Sequence, residues 1–529
     1  MFDIIVERGT IVDGTGAPGF TADVGIQADR ILAIGDLSGI ESGRRIDAGG
    51  RIVAPGFIDI HSHSDFSLLV NAKAESQIHQ GVTTEVVGNC GHSCAPCTHK
   101  DRLKSAIFGY HPSVTIQWSS FDEYLTTLEK QKLGINVAAY VGHGTLRIAE
   151  FNGENRTSTP EEVAHMARFL EEALDSGAIG LSTGLEYAPG SSATTQEVIT
   201  LCKVVSRYNR IYATHVRNRE LHYEAGFSEA FMTARGANVR TQISHIVPKY
   251  GAPPGAMAKT LELIEQLNSE GDDVAFDVIP HEWGPTTMSS VLPPWAFDGS
   301  IRCTLDRLSE PHSREKLKHN DNPIWHLIPA ARWDLIRLFH SAANADLTGL
   351  SIEAIAYKRG VPAIEAVFDL LLEEGESLFN LTWIAKNFAE SDTLMALRQS
   401  SCGVISDSIT LAPYGVYADT KWSPSTYGWA ARLFGKYVRD LSVLSLEDGV
   451  FRVTGLAAKR LGLKERGLLQ EGYKADIVIF DAGRIDDKSK IETPNVYPVG
   501  IRFVLVNGCI AIDNAVRTNG NAGVVLRAA

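Results

Sequence analysis

The sequence predicts an α/β fold, a (β/α)8 barrel of the TIM type with a small β-sandwich built from both chain ends and a lid-like insertion. Three observations predict it. The chain has 529 residues, 44% of them hydrophobic and 21% charged, with 47 glycines, as in a folded enzyme larger than one ordinary core. Its middle alternates short apolar strands, such as Ile135–Val141, Ile179–Ser182, Ile211–His215, Val239–His245 and Val274–Ile279, with helical patterns such as Glu161–Ser176 and Thr260–Ser269. Strands separated by helices imply parallel pairing through crossover connections. Both ends instead alternate apolar and polar residues between turns, around Asp3–Gly14, Asp23–Gly35, Gly467–Asp481 and Phe503–Gly508, which reads as antiparallel sheet.

These patterns divide the chain into a sandwich at 1–54 plus 455–529 and a barrel at 55–454. The interval at about 281–403 holds Trp283, Trp295, Trp325 and Trp333 and too few strand signals for its length, so it is expected as an insertion over the barrel mouth. The net charge of −13 argues against a nucleic-acid or anionic-membrane partner. No stretch is long and apolar enough to span a bilayer, and the start lacks a basic segment followed by an apolar one, so a cytoplasmic location is expected. Seven cysteines, odd in number and mostly scattered, argue against a disulfide framework.

The chemistry is expected at the strand ends. In Gly56-Phe57-Ile58-Asp59-Ile60-His61-Ser62-His63, His61 and His63 are two residues apart on an extended run and face the same side. Cys90, His215, His245 and Asp407 end other apolar strands: Val87-Gly88-Asn89-Cys90, Ala213-Thr214-His215, Ile243-Ser244-His245 and Val404-Ile405-Ser406-Asp407. Singly, such a histidine is more often packed than ligating, and a lone cysteine is usually a small core hydrophobe. Together they occupy the same place on successive strands, where barrel enzymes build their sites.

With these motifs the chain resembles the amidohydrolase superfamily and, within it, the D-aminoacylase (N-acyl-D-amino acid deacylase) family. The resemblance also covers Gly81-Val82-Thr83-Thr84, Val141-Gly142-His143-Gly144-Thr145, Gly180-Leu181-Ser182-Thr183-Gly184-Leu185-Glu186-Tyr187 and Lys474-Ala475-Asp476, almost the full length. It implies a zinc-dependent hydrolase of non-peptide C–N bonds. Cys90, His215 and His245 would hold one tight ion, and His61, His63 and Cys90 a second, weaker one. Asp407 would move the proton between water and the leaving nitrogen. The implied partner is a small-molecule amide, and a homo-oligomer is compatible with the family.

The departures from the family bear on the substrate. Where the family carries a lysine, a tyrosine, a serine and an arginine that resemble a clamp for an α-carboxylate, this chain has Val247, Ile279, Pro285 and Ser425, with Lys249 close by. The expectation is therefore an apolar or aromatic amide without a free α-carboxylate, in a pocket drawing on His143, Val247, Lys249, Ile279, His281, Trp283 and Ser425. The alternatives are a true N-acyl-D-amino acid deacylase, a cyclic amide or imide hydrolase and, more remotely, a metal-dependent decarboxylase. Cys90, Cys94 and Cys97 also have the spacing of a radical-SAM cluster site, a reading that leaves His61, His63, His215, His245 and Asp407 without a role.

Overall fold

The structure is a computed structural model that describes residues 1–320 and 324–529, without the side chain of Pro294. Eight parallel strands form the barrel: Phe57–Asp59, Val82–Val87, a third that runs through Asn136–Ala139 and Val141–Gly142, then Gly180–Gly184, Ile211–His215, Arg240–Ile243, Val274–Val278 and Cys402–Val404. The ring closes just beyond the first and eighth strands, where Ser62 pairs with Ser408 and the His63 amide donates to the Ser408 carbonyl at 2.7 Å. Helices such as Pro160–Asp175 cover the outside; this one starts with a capping box of Thr159 and Glu162 and has proline at its first turn, a strong start signal.

Both chain ends contribute to one nine-stranded sheet, which runs from the strand Phe2–Ile11 to the C-terminal strands Ile477–Phe480 and Ile501–Val506. Its side chains divide with the two-residue period of a strand. Ile477, Ile479 and Leu505 enter a core shared with Ile4, Val24 and Ile26, whereas Val478, Phe480, Val504 and Val506 pack into the barrel core. Burial on both faces explains the unbroken apolar run Ile477-Val478-Ile479-Phe480, which a half-exposed strand would not tolerate.

The segment over the mouth carries more strand than the sequence suggested. Trp283–Thr287, Ile336–His340 and Thr382–Lys386 make a three-stranded antiparallel sheet with its own core, in which Trp325 and Trp383 lie 4.8 Å apart. Their strand signal is diluted by the helices and turns between them. The helix Glu390–Leu397 and the strand Cys402–Val404 belong to the barrel, although the helix lies within 281–403 and the strand begins there. Among the described residues no helix is long and apolar enough to cross a membrane.

Candidate metal centre and substrate pocket

Six expected residues meet at the barrel mouth. Asp59, at the end of the first strand, accepts from the amides of His61 at 3.3 Å and Ser406 at 3.2 Å, tying that strand end to the segment carrying Asp407. Asp277 accepts from the His245 amide at 2.6 Å and so holds the turn after the sixth strand. Cys90, His245 and Asp407 all adopt left-handed backbone, with φ of 50°, 37° and 48°. Such conformations cost about 1–3 kcal/mol each in non-glycine residues and persist where neighbours over-determine them. Here the neighbour of Cys90 is backbone: a Cβ on Gly184 would lie 2.1 Å from the Cys90 carbonyl oxygen, so the loop seats against a strand that must be glycine there.

The side chains form two donor groups that share Cys90. One contains His61, His63, Cys90 and Asp407, the other Cys90, His215 and His245, and within each group the donor atoms lie within 4.8 Å of one another. The Cys90 Sγ is 3.2 Å from His61 Nε2, 3.7 Å from His215 Nδ1 and 3.5 Å from His245 Nε2. A tetrahedral zinc with Zn–S of ~2.3 Å and Zn–N of ~2.0–2.1 Å holds a sulfur and a nitrogen about 3.5 Å apart, so the donor spacing fits that ion. At Cys90 and His245 the charge state fits as well, whereas His61 and His63, lowered by burial but raised further by Cys90 and Asp407 (His63 to about 9), would have to release a proton to a metal. Burial pushes the Cys90 thiol up, but His61 and then His215 and His245 pull it well below its usual value, which favours the thiolate. Burial, then Arg219 and His215, lowers His245 to about 3, leaving it neutral and able to donate a lone pair.

His215 has a further partner. Its Nε2 is 2.6 Å from a Glu186 carboxylate oxygen, which fixes the ring with Nδ1 toward Cys90. The other Glu186 oxygen accepts from Lys249 Nζ at 2.5 Å. Burial would raise the Glu186 carboxyl, but Lys249 and then His215 draw it down to about 2, whereas Glu220, 3.7 Å from the same ammonium, is pushed up to about 8, chiefly by burial. The charge on Lys249 is thus balanced by Glu186. Arg219, 4% exposed, makes no direct ion pair among the described residues: it donates to the His245 carbonyl at 2.6 Å and lies 5.5 Å from the Phe388 ring, its Nε has no hydrogen-bond partner, and Glu186 and Glu220 act on it only through space. If Glu186 orients His215, Glu186→Gln lowers zinc affinity by about 10- to 100-fold, measured by competition with a chelator.

The pocket beside the donors is small, about 40 Å³, and is lined by Lys249 and Ile279 as expected, with Pro285, Arg219, Tyr187, Phe108, Phe388, Trp325 and Trp422. Five expected pocket residues lie elsewhere. His143 is buried with its Nε2 bonded to Glu197 at 2.8 Å beside Arg147, and it does not line the pocket. Val247 packs in the barrel core, and His281 faces Asp487 at 3.5 Å. Trp283 stands 5.8 Å from the Arg337 guanidinium, off the pocket wall. Ser425 starts the helix Ser425–Arg432 and is buried there. Cys94 and Cys97 lie in the apolar barrel core and join neither donor group, which removes the three-cysteine reading. Sequence reasoning missed Arg219, Glu186 and the aromatic wall. Glu186 stood inside a quoted motif, and its acidity two positions beyond a strand-end glycine was the available signal.

Fold and site together define a metal-dependent hydrolase barrel, and the comparisons agree: the sequence profile of the Amidohydrolase family matches residues 44–281 and 330–512, and the chain belongs to that family. It is a metal-dependent amidohydrolase of the D-aminoacylase type. It is 34% identical to a D-aminoacylase of Alcaligenes xylosoxydans xylosoxydans over 99% of this chain and 97% of the relative, and 33% identical to an N-acyl-D-glutamate deacylase of the same organism over 97% and 94%. Among solved structures it is similar to D-aminoacylase, described with a binuclear metal centre, with a TM-score of 0.82 and 33% identity over 100% of both chains. The N-acyl-D-glutamate deacylase of Bordetella bronchiseptica, complexed with zinc and a phosphonate inhibitor, gives a TM-score of 0.83 at 31% identity over 100% of both chains.

Proposed function

We propose that the protein is a zinc-dependent deacylase of N-acyl-D-amino acids and that Arg219 receives the substrate's α-carboxylate. The reading is carried by one observation: a buried guanidinium without a carboxylate partner lines the same pocket as the two donor groups. It replaces the expected uncharged substrate. That expectation treated Val247 and Ser425 as pocket residues, yet neither lines the pocket and two cations, Arg219 and Lys249, do. An uncharged amide would leave the Arg219 charge buried and unpaired, whereas a carboxylate pairs it. The relatives' names, D-aminoacylase and N-acyl-D-glutamate deacylase, support the same class and the D configuration.

His215 and His245 with Cys90 would hold the tighter zinc, and His61 and His63 with Cys90 a weaker one. A zinc held there would supply Lewis acidity, lowering the pKa of a water toward neutrality and polarising the acyl carbonyl. Asp407, 3.1 Å from His63 Nε2 and 3.4 Å from His61 Nε2, is held at the pocket floor to accept the proton of the attacking water. Water adds to the acyl carbon, the C–N bond breaks, and Asp407 returns the proton to the departing nitrogen. The products are a carboxylate from the acyl group and a free D-amino acid.

Steady-state assays of the zinc-loaded protein check this reading. N-acetyl-D-amino acids should be hydrolysed, with their L isomers, their carboxamides and hydantoins far slower. Arg219→Met should raise KM for the N-acetyl-D-amino acid by about 30-fold, the effect of the ~2 kcal/mol lower bound for one buried charge pair, and leave KM for the carboxamide nearly unchanged. Carboxamides or hydantoins hydrolysed as well as the free acids would overturn the reading.

A further inference from the structure

The small pocket opens into a chamber of about 400 Å³, ten times its volume, through a collar formed by Phe108, Tyr187, Thr286 and Trp422, which line both. The collar stands against the donor residues, with Phe108 5.3 Å from the His63 ring and Tyr187 4.8 Å from His215. A chamber of this size falls in the range of about 300–1,000 Å³ that encloses sizeable small molecules, far more than an acetyl group requires. Its walls are aromatic, including Tyr110, Phe297, Phe379 and Tyr417.

The polar groups in the wall are unevenly signed. Arg102 and Lys421 line the chamber, and neither has a hydrogen-bond or ion-pair partner for its charged group among the described residues. Lys104, also in the wall, is paired with Asp101. Among the described residues the chamber's lining includes one carboxylate, Glu186, already engaged by Lys249 and His215. In a chain with a net charge of −13, such a cavity would attract an anion.

We propose that this chamber is an acyl-chain subsite and that it selects N-acyl groups longer than acetyl that end in a carboxylate, with Arg102 and Lys421 receiving that distal anion. The assignment to the acyl side rests on the proposed function. With the α-carboxylate at Arg219, which lines the inner pocket but not the chamber, the acyl chain is the part of the substrate that leaves through the collar. The aromatic collar would hold the methylene stem, and the two cations would meet its end.

The test compares N-acetyl-, N-hexanoyl- and N-adipoyl-D-leucine on the zinc-loaded protein. The expected result is a kcat/KM that rises from acetyl to hexanoyl and by a further factor of about ten from hexanoyl to adipoyl, the effect of one charge-assisted hydrogen bond. In the R102M/K421M double variant the adipoyl-to-hexanoyl ratio should fall to about one; a ratio taken within one protein is unaffected by losses of folded enzyme. Equal rates for adipoyl and hexanoyl, or a ratio that survives the double substitution, overturns the subsite. A charge preference dependent on Arg102 that appears instead between N-acetyl-D-glutamate and N-acetyl-D-norvaline overturns its assignment to the acyl side. Absence of turnover on N-acetyl-D-leucine would count against the deacylase reading alone. The subsite is then tested by calorimetric binding of adipate, expected for the parent protein and lost in the double variant; no binding to the parent overturns it.

Discussion

Replacing Asp407 with Asn is expected to lower kcat by about 10²- to 10⁴-fold, the usual worth of a positioned acid–base group, while the protein keeps its zinc. The substitution preserves shape and leaves the turn intact: the Asp407 amide still donates to the His61 carbonyl at 3.1 Å, and the left-handed φ of 48° is one that asparagine tolerates well. What is lost is the ability to take a proton from water and return it to nitrogen. Burial pushes the Asp407 carboxyl up, but His61 and then His63 hold it well below the usual range, so it is ionised. Metal analysis alongside kinetics decides the matter. Loss of zinc together with activity would make Asp407 a ligand, which its place in the donor group with His61 and His63 allows, and would refute its role as proton carrier.

Cys90→Ala is expected to reduce activity by more than the roughly 10- to 100-fold that follows loss of an outer partner, and to empty both metal positions at once. The reason is geometric: Cys90 is the one residue common to the two donor groups, so a single truncation leaves His215 and His245 as a pair and removes the thiolate from His61, His63 and Asp407. By contrast, His63→Ala leaves the group of Cys90, His215 and His245 complete. Zinc content by atomic absorption should fall to near zero in the first variant and by about one equivalent in the second, because Cys90 serves both groups and His63 only one. If Cys90→Ala retained a full complement of zinc, the shared-thiolate arrangement would be wrong.

The parts of the site legible in the sequence were those set by strand period. His61 and His63 had to face one way, and His215, His245 and Asp407 had to sit where their strands end. The parts that were illegible depend on how loops fold back. From His215 onward, alternate residues would continue on one face if the chain stayed extended, placing Arg217 and Arg219 together. It does not: the Asn218 side chain accepts from the amides of Glu220 and His222 at 2.8 and 3.0 Å, turning the chain. Arg217 then leaves to pair with Glu229 at 2.8 Å, and Arg219 enters the pocket. The same uncertainty misplaced the substrate wall, where a shift of two residues separates Val247 in the core from Lys249 at the pocket.

The sequence by itself determined the fold class, the metal chemistry and the acid–base candidate, because side-chain periodicity and donor type are local properties. Only the tertiary structure bears on the proposed charge of the substrate. Whether a cation is balanced depends on carboxylates brought near it by distant segments: Glu186 from the loop after the fourth strand neutralises Lys249, Glu220 is pushed toward its neutral form by burial, and of the inner pocket's two cations Arg219 is the one left for a ligand.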